Sequence, residues 1–428
     1  MHLYNEGPTP KTTHDMKNIL YISVASLLLA VVACDNGGKS EPDPVPVKPA
    51  EPIALTQKQL EKAAGDNTFA FKLFREVATS DDKENAFISP LSVTMALGML
   101  YNGTSEGAGK EMAGALGMAG FTDGEINAYY QTMQRALLAA DPLTAMSIAN
   151  SIWSERTYPV KQSFIDVNRT WYGAEVQSLD FGAPSTVTAI NNWCAAKTND
   201  KIKSIIDEIP EAMVMYLINA VYFKSKWESQ FDKEDTRDED FTLEGGAKKT
   251  VRMMNQTETF PYYGGDAVEC LELPYGNGAF SMLVMMPAGD KTLDELVEKL
   301  DADIYKTISD GLSERKVRVK LPRFKQECMF SLIEPVADLG MKLIFQNGGN
   351  LNGIADDPRL VVSEIKHKTF VEVNEEGTEA AAVTIIGAEP TSVPEYGTFY
   401  ADRPFIYLIK EKSTGAILFI GRMDEPKI

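Results

Sequence analysis

Residues suited to catalysis are scarce in this chain. It has three histidines, His2, His14 and His367, and the first two lie ahead of an apolar segment typical of an export signal. A mature chain with one histidine cannot build a Ser-His-Asp or Cys-His site around any other residue. It also has too few imidazoles for most catalytic zinc sites. We therefore expect no enzyme, no metal site and no cofactor.

The spacing of the cysteines indicates their chemical state, and the net charge limits which classes of molecule the protein could bind. Cys34, Cys194, Cys270 and Cys328 are scattered, which predicts one modified cysteine and three free, buried thiols. The formal net charge of −19 disfavours nucleic acid, whose phosphates require Lys and Arg. The sequence also lacks the dense Lys/Arg cluster that a heparin site would need, so we expect no heparin site.

The N-terminal residues predict export and lipid anchoring. An apolar run follows Met16, the predicted start, and its length of about fifteen residues falls short of the roughly 20 that span a membrane. Residues 31–34, VVAC, resemble the lipobox of bacterial lipoproteins, in which the cysteine is acylated and begins the mature chain. Residues 1–33 are thus predicted as upstream residues and signal peptide, and Cys34 as the lipidation site. A secretory signal with an incidental cysteine is the alternative.

The same N-terminal segment predicts where the protein is located. An exported bacterial lipoprotein is anchored to the cell envelope, at the outer membrane or cell surface, and meets the membrane only through its lipid. Residues 34–54 are rich in proline among charged residues, so we predict an extended tether that does not pack.

Residues 55–428 predict one α+β domain, because they contain no internal repeat and no second linker. Residues 57–79 and 91–101 have helical spacing, with a proline suited to the first turn of the second helix. Strands are predicted at 212–223 and 280–286, apolar on both faces, at 317–324, half exposed, and in a hairpin of 405–409 with 416–420.

Eight segments in order resemble the serpin family, over nearly the whole chain after the tether. They are 85–92 (NAFISPLS), 191–202 (NNW with Thr198, Lys201 and Ile202), 217–227 (LINAVYFKSKW), 251–254 (VRMM), 271–275 (LELPY), 321–324 (LPRF), 371–378 (VEVNEEGT) and 399–407 (FYADRPFIY). The resemblance implies the serpin fold, with three β-sheets, about eight or nine helices and an exposed reactive-centre loop. It also implies a monomer in a metastable native state.

The same resemblance implies a suicide inhibitor of serine proteases. A protease cleaves the loop, forms a covalent acyl-enzyme, and is trapped when the loop inserts into the central sheet as an extra strand. The implied hinge of this loop comprises Glu375, Glu376, Gly377, Thr378, Glu379, Ala380, Ala381 and Ala382. A serpin-fold binding protein without inhibitory activity is the alternative.

The hinge composition suits insertion, since a strand sends alternate side chains to opposite faces. One face would carry only small or apolar side chains, and the other would carry the two charged residues, Glu379 and Glu389. The residues of the first face are Thr378, Ala380, Ala382, Thr384, Ile386 and Ala388. A charge on the buried face would cost several kcal/mol unless paired. Gly377 suits the pivot. An alanine triplet alone would fit a helix or loop equally well.

The family's spacing from Glu375 places the scissile bond between Thr391 and Ser392, after Pro390. A small residue there favours an elastase-like or subtilisin-like protease, and the absence of Lys and Arg from residues 371–401 disfavours a trypsin-like one. The stretch from Ser392 to Phe405 is a residue or two longer than in typical members. The register could therefore move to Ile386, Val393 or Glu389, and a cysteine protease also stays open as the target.

The resemblance also implies residues that govern sheet opening. Ser89, Ser92, Asn191 and His367 match a hydrogen-bonded cluster beneath the strands that separate. His367 is then a structural switch residue, with a satisfied surface histidine as the alternative. Trp227 matches a tryptophan where the hinge first enters, and a core tryptophan is the alternative.

Overall fold

The helices begin at caps that the sequence encodes. In this computed structural model, which describes residues 48–79, 85–378 and 396–427, Thr56 and Gln59 form a capping box at α1, and Ser89 caps α2 with Pro90 in its first turn. The helices of the described residues are α1 (Gln57–Ala78), α2 (Pro90–Tyr101), α3 (Glu106–Ala115), α4 (Asp123–Ala139), α5 (Gln162–Tyr172), α6 (Pro184–Lys197), α7 (Leu293–Lys299), α8 (Ala302–Gly311) and α9 (Ile333–Asp338).

The strands of the described residues include those that the sequence predicted. They are β1 (Ala86–Ile88), β2 (Ala145–Glu155), β3 (Glu175–Leu179), β4 (Met215–Lys226), β5 (Arg237–Thr242), β6 (Lys248–Gly264), β7 (Val268–Tyr275), β8 (Phe280–Pro287), β9 (Ser313–Pro322), β10 (Phe324–Ser331), β11 (Lys366–Asn374), β12 (Gly377–Thr378), β13 (Gly397–Tyr400), β14 (Phe405–Glu411) and β15 (Ile417–Met423). Both predicted helices, the two apolar strands and the hairpin are confirmed. The predicted strand at 317–324 ends earlier, at Pro322, and Phe324 begins β10.

A six-stranded sheet carries the candidate site, in the order β10-β11-β12-β4-β2-β3. Its strand β4 is covered on both faces. Val221 and Phe223 belong to the main core, whereas Tyr216 and Ile218 pack in a second cluster with residues of α6. The continuous apolar run of β4 reflects this double burial.

A nine-stranded network lies behind that sheet, in the order β1-β15-β14-β8-β7-β6-β9-β13, with β5 also paired to β6. The long strand β6 joins two parts, since it pairs with β7 only at Tyr262–Gly264 and with β5 and β9 over the rest of its length. With the six-stranded sheet, these two parts give the expected three sheets of an α+β fold. Cys194, Cys270 and Cys328 are buried, as predicted, and Cys194 and Cys270 are free thiols.

The N-terminal boundary differs from the prediction. The Ala50 N–H donates to the Asn277 carbonyl (3.1 Å), the Ile53 N–H donates to Ser413 Oγ (2.9 Å), and both side chains pack against the core. The last residues of the predicted 34–54 tether therefore belong to the folded body. Isolated apolar residues among prolines suffice for docking when the body offers hydrogen-bond partners. The signal peptide, Cys34 and residues 34–47 lie outside the described residues.

Within the described part of the chain, no helix has the length and apolarity needed to cross a membrane.

Candidate functional site

The hinge enters the six-stranded sheet as the short strand β12. Thr378 pairs with Val373 of β11 and Ser225 of β4, and Gly377 pairs with Asn374 and Lys226. Because β12 pairs on both sides, β4 and β11 are held two strand spacings apart, about 10 Å. The gap between β4 and β11 at this level is therefore one strand wide.

Gly377 is required by close packing of the backbone. Its φ is +145°, and a Cβ at this position would lie 2.2 Å from the Ser225 carbonyl oxygen and 2.8 Å from the Trp227 nitrogen. No L side chain fits without moving β4. Close packing therefore requires a glycine at position 377, the predicted pivot.

Glu375 is buried beside Gly377 and is fully partnered. Its side chain is 2% exposed, accepts a hydrogen bond from Thr236 Oγ1 (2.6 Å) and lies 3.5 Å from Arg323 Nε. Its carbonyl accepts the Phe231 N–H (2.9 Å).

Glu376 is also buried and forms an ion pair with Lys233. Two buried carboxylates without partners would destabilise the hinge by several kcal/mol each, so these cations and hydroxyls are what allow it to dock.

Trp227 packs against the hinge, where the sequence placed it. Its indole Nε1 donates to the Asn374 carbonyl (2.9 Å) and its backbone N–H to the Glu376 carbonyl (2.9 Å). The indole stacks on Tyr275, with ring centroids 4.4 Å apart.

A cleft continues from β12 between β4 and β11. Among the described residues, no ladder joins these two strands below Thr378, and a cavity of about 880 Å³ opens there. One wall is formed by residues 213–221, which precede and begin β4, and the other by residues 361–369, which precede and begin β11. Helix α2 lies beneath the cavity and α6 above it. The inner edges of both strands offer backbone groups to an added strand.

The core-facing side of this cleft is defined by alternation along β11. His367, Thr369, Val371 and Val373 are buried, and the residues between them are half-buried. Thr378 pairs with Val373 and bonds to buried Tyr275, so its side chain also faces the core. Thr378, the last described residue of the hinge, therefore lies on the same core-facing side as Val373.

Ser89, Ser92 and His367 come together beneath the cleft. The Ser89 N–H donates to His367 Nε2 (2.9 Å), and the Ser92 N–H donates to Ser89 Oγ (3.3 Å). Burial lowers the pKa of His367 to about 4, so the ring is neutral at pH 7. Since Nε2 accepts a backbone N–H, this histidine activates no nucleophile here.

The prediction that Asn191 joins this cluster is wrong. Asn191 lies on α6, where its amide accepts from the Ile205 and Ile206 N–H groups (2.8 and 3.2 Å) and donates to the Ile206 carbonyl (2.7 Å). It fixes the segment after α6.

Asn219 of β4 occupies the place expected of Asn191. Its carbonyl accepts from Ser92 Oγ (3.3 Å) and its amide donates to Asn150 Oδ1 (2.7 Å). The signal was available in the sequence, because Asn219 is a polar residue within the apolar run of β4.

The remaining predicted residues lie outside the described part of the chain. These are the lower hinge (Glu379, Ala380, Ala381 and Ala382), the bait residues (Ile386, Glu389 and Pro390) and the bond between Thr391 and Ser392.

Comparisons with known proteins agree with this geometry. The family model for serpin (serine protease inhibitor) matches residues 64–426. The leukocyte elastase inhibitor of Sus scrofa is 34% identical over 383 residues, which cover 86% of this chain and 100% of that protein. The thermophilic serpin tengpin in its native state has a TM-score of 0.79 at 30% identity, with 89% of this chain and 97% of that chain covered. Human thyroxine-binding globulin has a TM-score of 0.78 at 25% identity, covering 86% and 100%.

Proposed function

This chain belongs to the serpin family, and from that premise we propose that it inhibits serine proteases by inserting its cleaved loop between β4 and β11. The protease serine attacks the Thr391 carbonyl, Ser392 leaves with the new amino group, and the acyl-enzyme stays attached to the inserting strand. Insertion then drags the acylated protease along and distorts its active site, so that water does not hydrolyse the acyl-enzyme.

The observation that carries this proposal is the double pairing of β12 above an open cleft. A strand that continues β12 in the same register would place Ala380 between Val371 and Phe223, and Ala382 between Thr369 and Val221. These four neighbours face the core, where only small side chains fit without displacing them.

The opposite face accommodates the charges of the segment. In the same register Glu379 falls between Glu372 and Lys224, on the half-buried face of β11 and β4. Glu372 already has Lys201 within 3.7 Å. Glu379 therefore falls on the face for which the sheet leaves access to water and cations.

We propose an elastase-like or subtilisin-like serine protease as the target. Thr391 after Pro390 suits a shallow pocket, and a relative that covers most of this chain is named leukocyte elastase inhibitor. Glu389 and Ile386 are the alternative bait residues, and a cysteine protease is the alternative target.

The test is incubation of the full-length chain with elastase-like, subtilisin-like, trypsin-like and papain-like proteases. We expect an SDS-stable complex with one of the first two and, by mass spectrometry, cleavage after Thr391. Thr391→Arg should move the target range to trypsin-like proteases, and an unchanged range would exclude Thr391 as the bait. Cleavage of the loop by every protease without a covalent complex would refute inhibition.

A second candidate function is ligand carriage without inhibition. The similarity to thyroxine-binding globulin over 86% of this chain favours it. Thermal unfolding before and after loop cleavage separates the candidates, because an inserting loop adds a strand and should raise the midpoint, whereas a loop that stays outside should not.

We also propose that the protein is a monomer anchored to the bacterial envelope through acylated Cys34. The support is the apolar run that ends at VVAC and the proline-rich segment that follows it. Metabolic labelling with palmitate should mark the wild-type chain and not Cys34→Ser. Equal labelling of both would refute the anchor.

A further inference from the structure

A buried hydrogen bond connects Thr378 of the hinge to the sheet behind it. Tyr275 Oη and Thr378 Oγ1 are 2.7 Å apart, and the two side chains are 0% and 3% exposed. Tyr275 ends β7, which belongs to the nine-stranded network, whereas Thr378 ends β12. The bond therefore crosses from one sheet to the other at the last described hinge residue.

The Tyr275 ring packs against two other aromatic rings. It stacks on Trp227 with an interplanar angle of 12°, and the edge of Phe223 contacts it with centroids 5.3 Å apart. Trp227 in turn holds the Asn374 and Glu376 carbonyls of the turn before β12. The hydroxyl of Tyr275 is thus aimed at one point, the position that Thr378 occupies when the hinge is docked.

The geometry points to Tyr275 as a positioning residue that locks the hinge in its docked place through the Thr378 hydroxyl, so that insertion starts from a fixed register. This inference rests on the proposed inhibitory function. It also explains the residue type at 378, since alanine, as at 380 and 382, would leave the buried Tyr275 hydroxyl without its partner.

Register is the property that this bond protects. A shift by one residue would send every side chain of an inserting strand to the opposite face and bring Glu379 to the core. Backbone pairing alone does not distinguish the two registers, whereas a hydroxyl at 378 meeting Tyr275 does. The neighbouring Ser225 hydroxyl does not compete for Thr378, because it bonds to Thr144 Oγ1 (2.7 Å).

Hydrogen exchange of the full-length chain tests the lock without any protease. Tyr275→Phe and Thr378→Val should each speed exchange of the residue 371–378 amides roughly fivefold, the factor that corresponds to about 1 kcal/mol for one buried hydrogen bond. The double variant should exchange no faster than either single variant, because both remove the same bond. Thr378→Ser, which retains the hydroxyl, should exchange at close to the wild-type rate.

Tyr305→Phe is the matched control, since the Tyr305 hydroxyl is also buried and donates to the Gly415 carbonyl (3.0 Å), away from the hinge. It should lower thermal stability and leave hinge exchange unchanged. Equal effects of Tyr275→Phe and Tyr305→Phe on residues 371–378, or additive effects of Tyr275→Phe and Thr378→Val, would overturn the lock.

The stoichiometry of inhibition connects the lock to trapping. With a protease that the wild-type chain traps, Tyr275→Phe and Thr378→Val should raise the fraction of inhibitor consumed as substrate severalfold, and Tyr305→Phe should not. Faster exchange with an unchanged stoichiometry would overturn the role in insertion. If the wild-type chain traps no protease, the proposed function fails, and the exchange measurements still decide whether the lock exists.

Discussion

The two ends of the gap between β4 and β11 are built in opposite ways. At the hinge end, defined by Trp227, Tyr275 and residues 375–378, β12 fills the gap and both buried carboxylates have partners. At the open end, defined by Ser89, Asn219 and His367, a cavity takes the place of a strand.

This difference indicates a division of labour. The hinge end fixes where a strand begins and which side chains face the core. The open end keeps backbone groups available for the residues that follow. A sheet closed at both ends would have no place for the loop, and a sheet open at both ends would not fix its register.

The largest expected effect comes from a charge at the hinge end. Thr378→Arg would place a guanidinium against Tyr275 in the core, where an unpaired charge costs several kcal/mol. We expect the variant to be cleaved and to form no SDS-stable complex. Glu379→Arg is the matched control, since its position belongs to the opposite face and should retain trapping. A Thr378→Arg variant that still traps its protease would break the assignment of faces.

The next effect concerns the open end and pH. The pKa of His367 is about 4 in the folded chain against 6.5 for a free histidine, so between these values the unfolded chain binds more protons. Stability should therefore be complete above about pH 6.5 and fall by up to ~3 kcal/mol as pH approaches 4. Urea unfolding midpoints of the wild-type chain and His367→Gln across this range measure the effect. Parallel profiles for the two chains would show that His367 does not titrate on unfolding.

The sequence predicted the hinge end well at Gly377 and less well at its two glutamates. The pivot and the alternation of small residues are local properties, visible in eight consecutive letters. The burial of Glu375 depends on Thr236 and Arg323, which are more than 50 residues away in the chain, so a local pattern of two glutamates gives no sign of it.

At the open end, resemblance brought Ser89, Ser92 and His367 together and misplaced Asn191. Asn191 does not join the cluster beneath the sheet because its helix, α6, packs on the other face of β4. The interruption of an apolar strand by Asn219 was the better indicator. The two helices and five strands that were predicted, by contrast, followed from periodicity, because each of them buries at least one face.

A smaller effect is expected from steric pressure on the hinge pivot. In Gly377→Ala the new Cβ would overlap the Ser225 carbonyl at 2.2 Å, and we expect undocking of β12 at a cost of about 2 kcal/mol. The amides of residues 371–378 should then exchange faster. Gly340→Ala is the control, since Gly340 also has positive φ (+103°) but no atom within 4 Å of an added Cβ. If both variants left hinge exchange unchanged, close packing would not be what keeps residue 377 a glycine.

The smallest effect concerns support from behind the hinge end. Ala50 donates to the Asn277 carbonyl and Ile53 to Ser413 Oγ. The Asn277 N–H donates to Asp141 (3.3 Å), and Asp141 accepts from Thr144, the partner of Ser225 in β4. A chain that begins at residue 56 loses two hydrogen bonds and some apolar cover relative to one that begins at residue 48. We expect its thermal midpoint to fall by about 2–4 °C. Faster exchange at residues 371–378 in the shorter chain would extend the hinge end to Asn277, whereas unchanged exchange would confine it to Trp227, Tyr275 and β12.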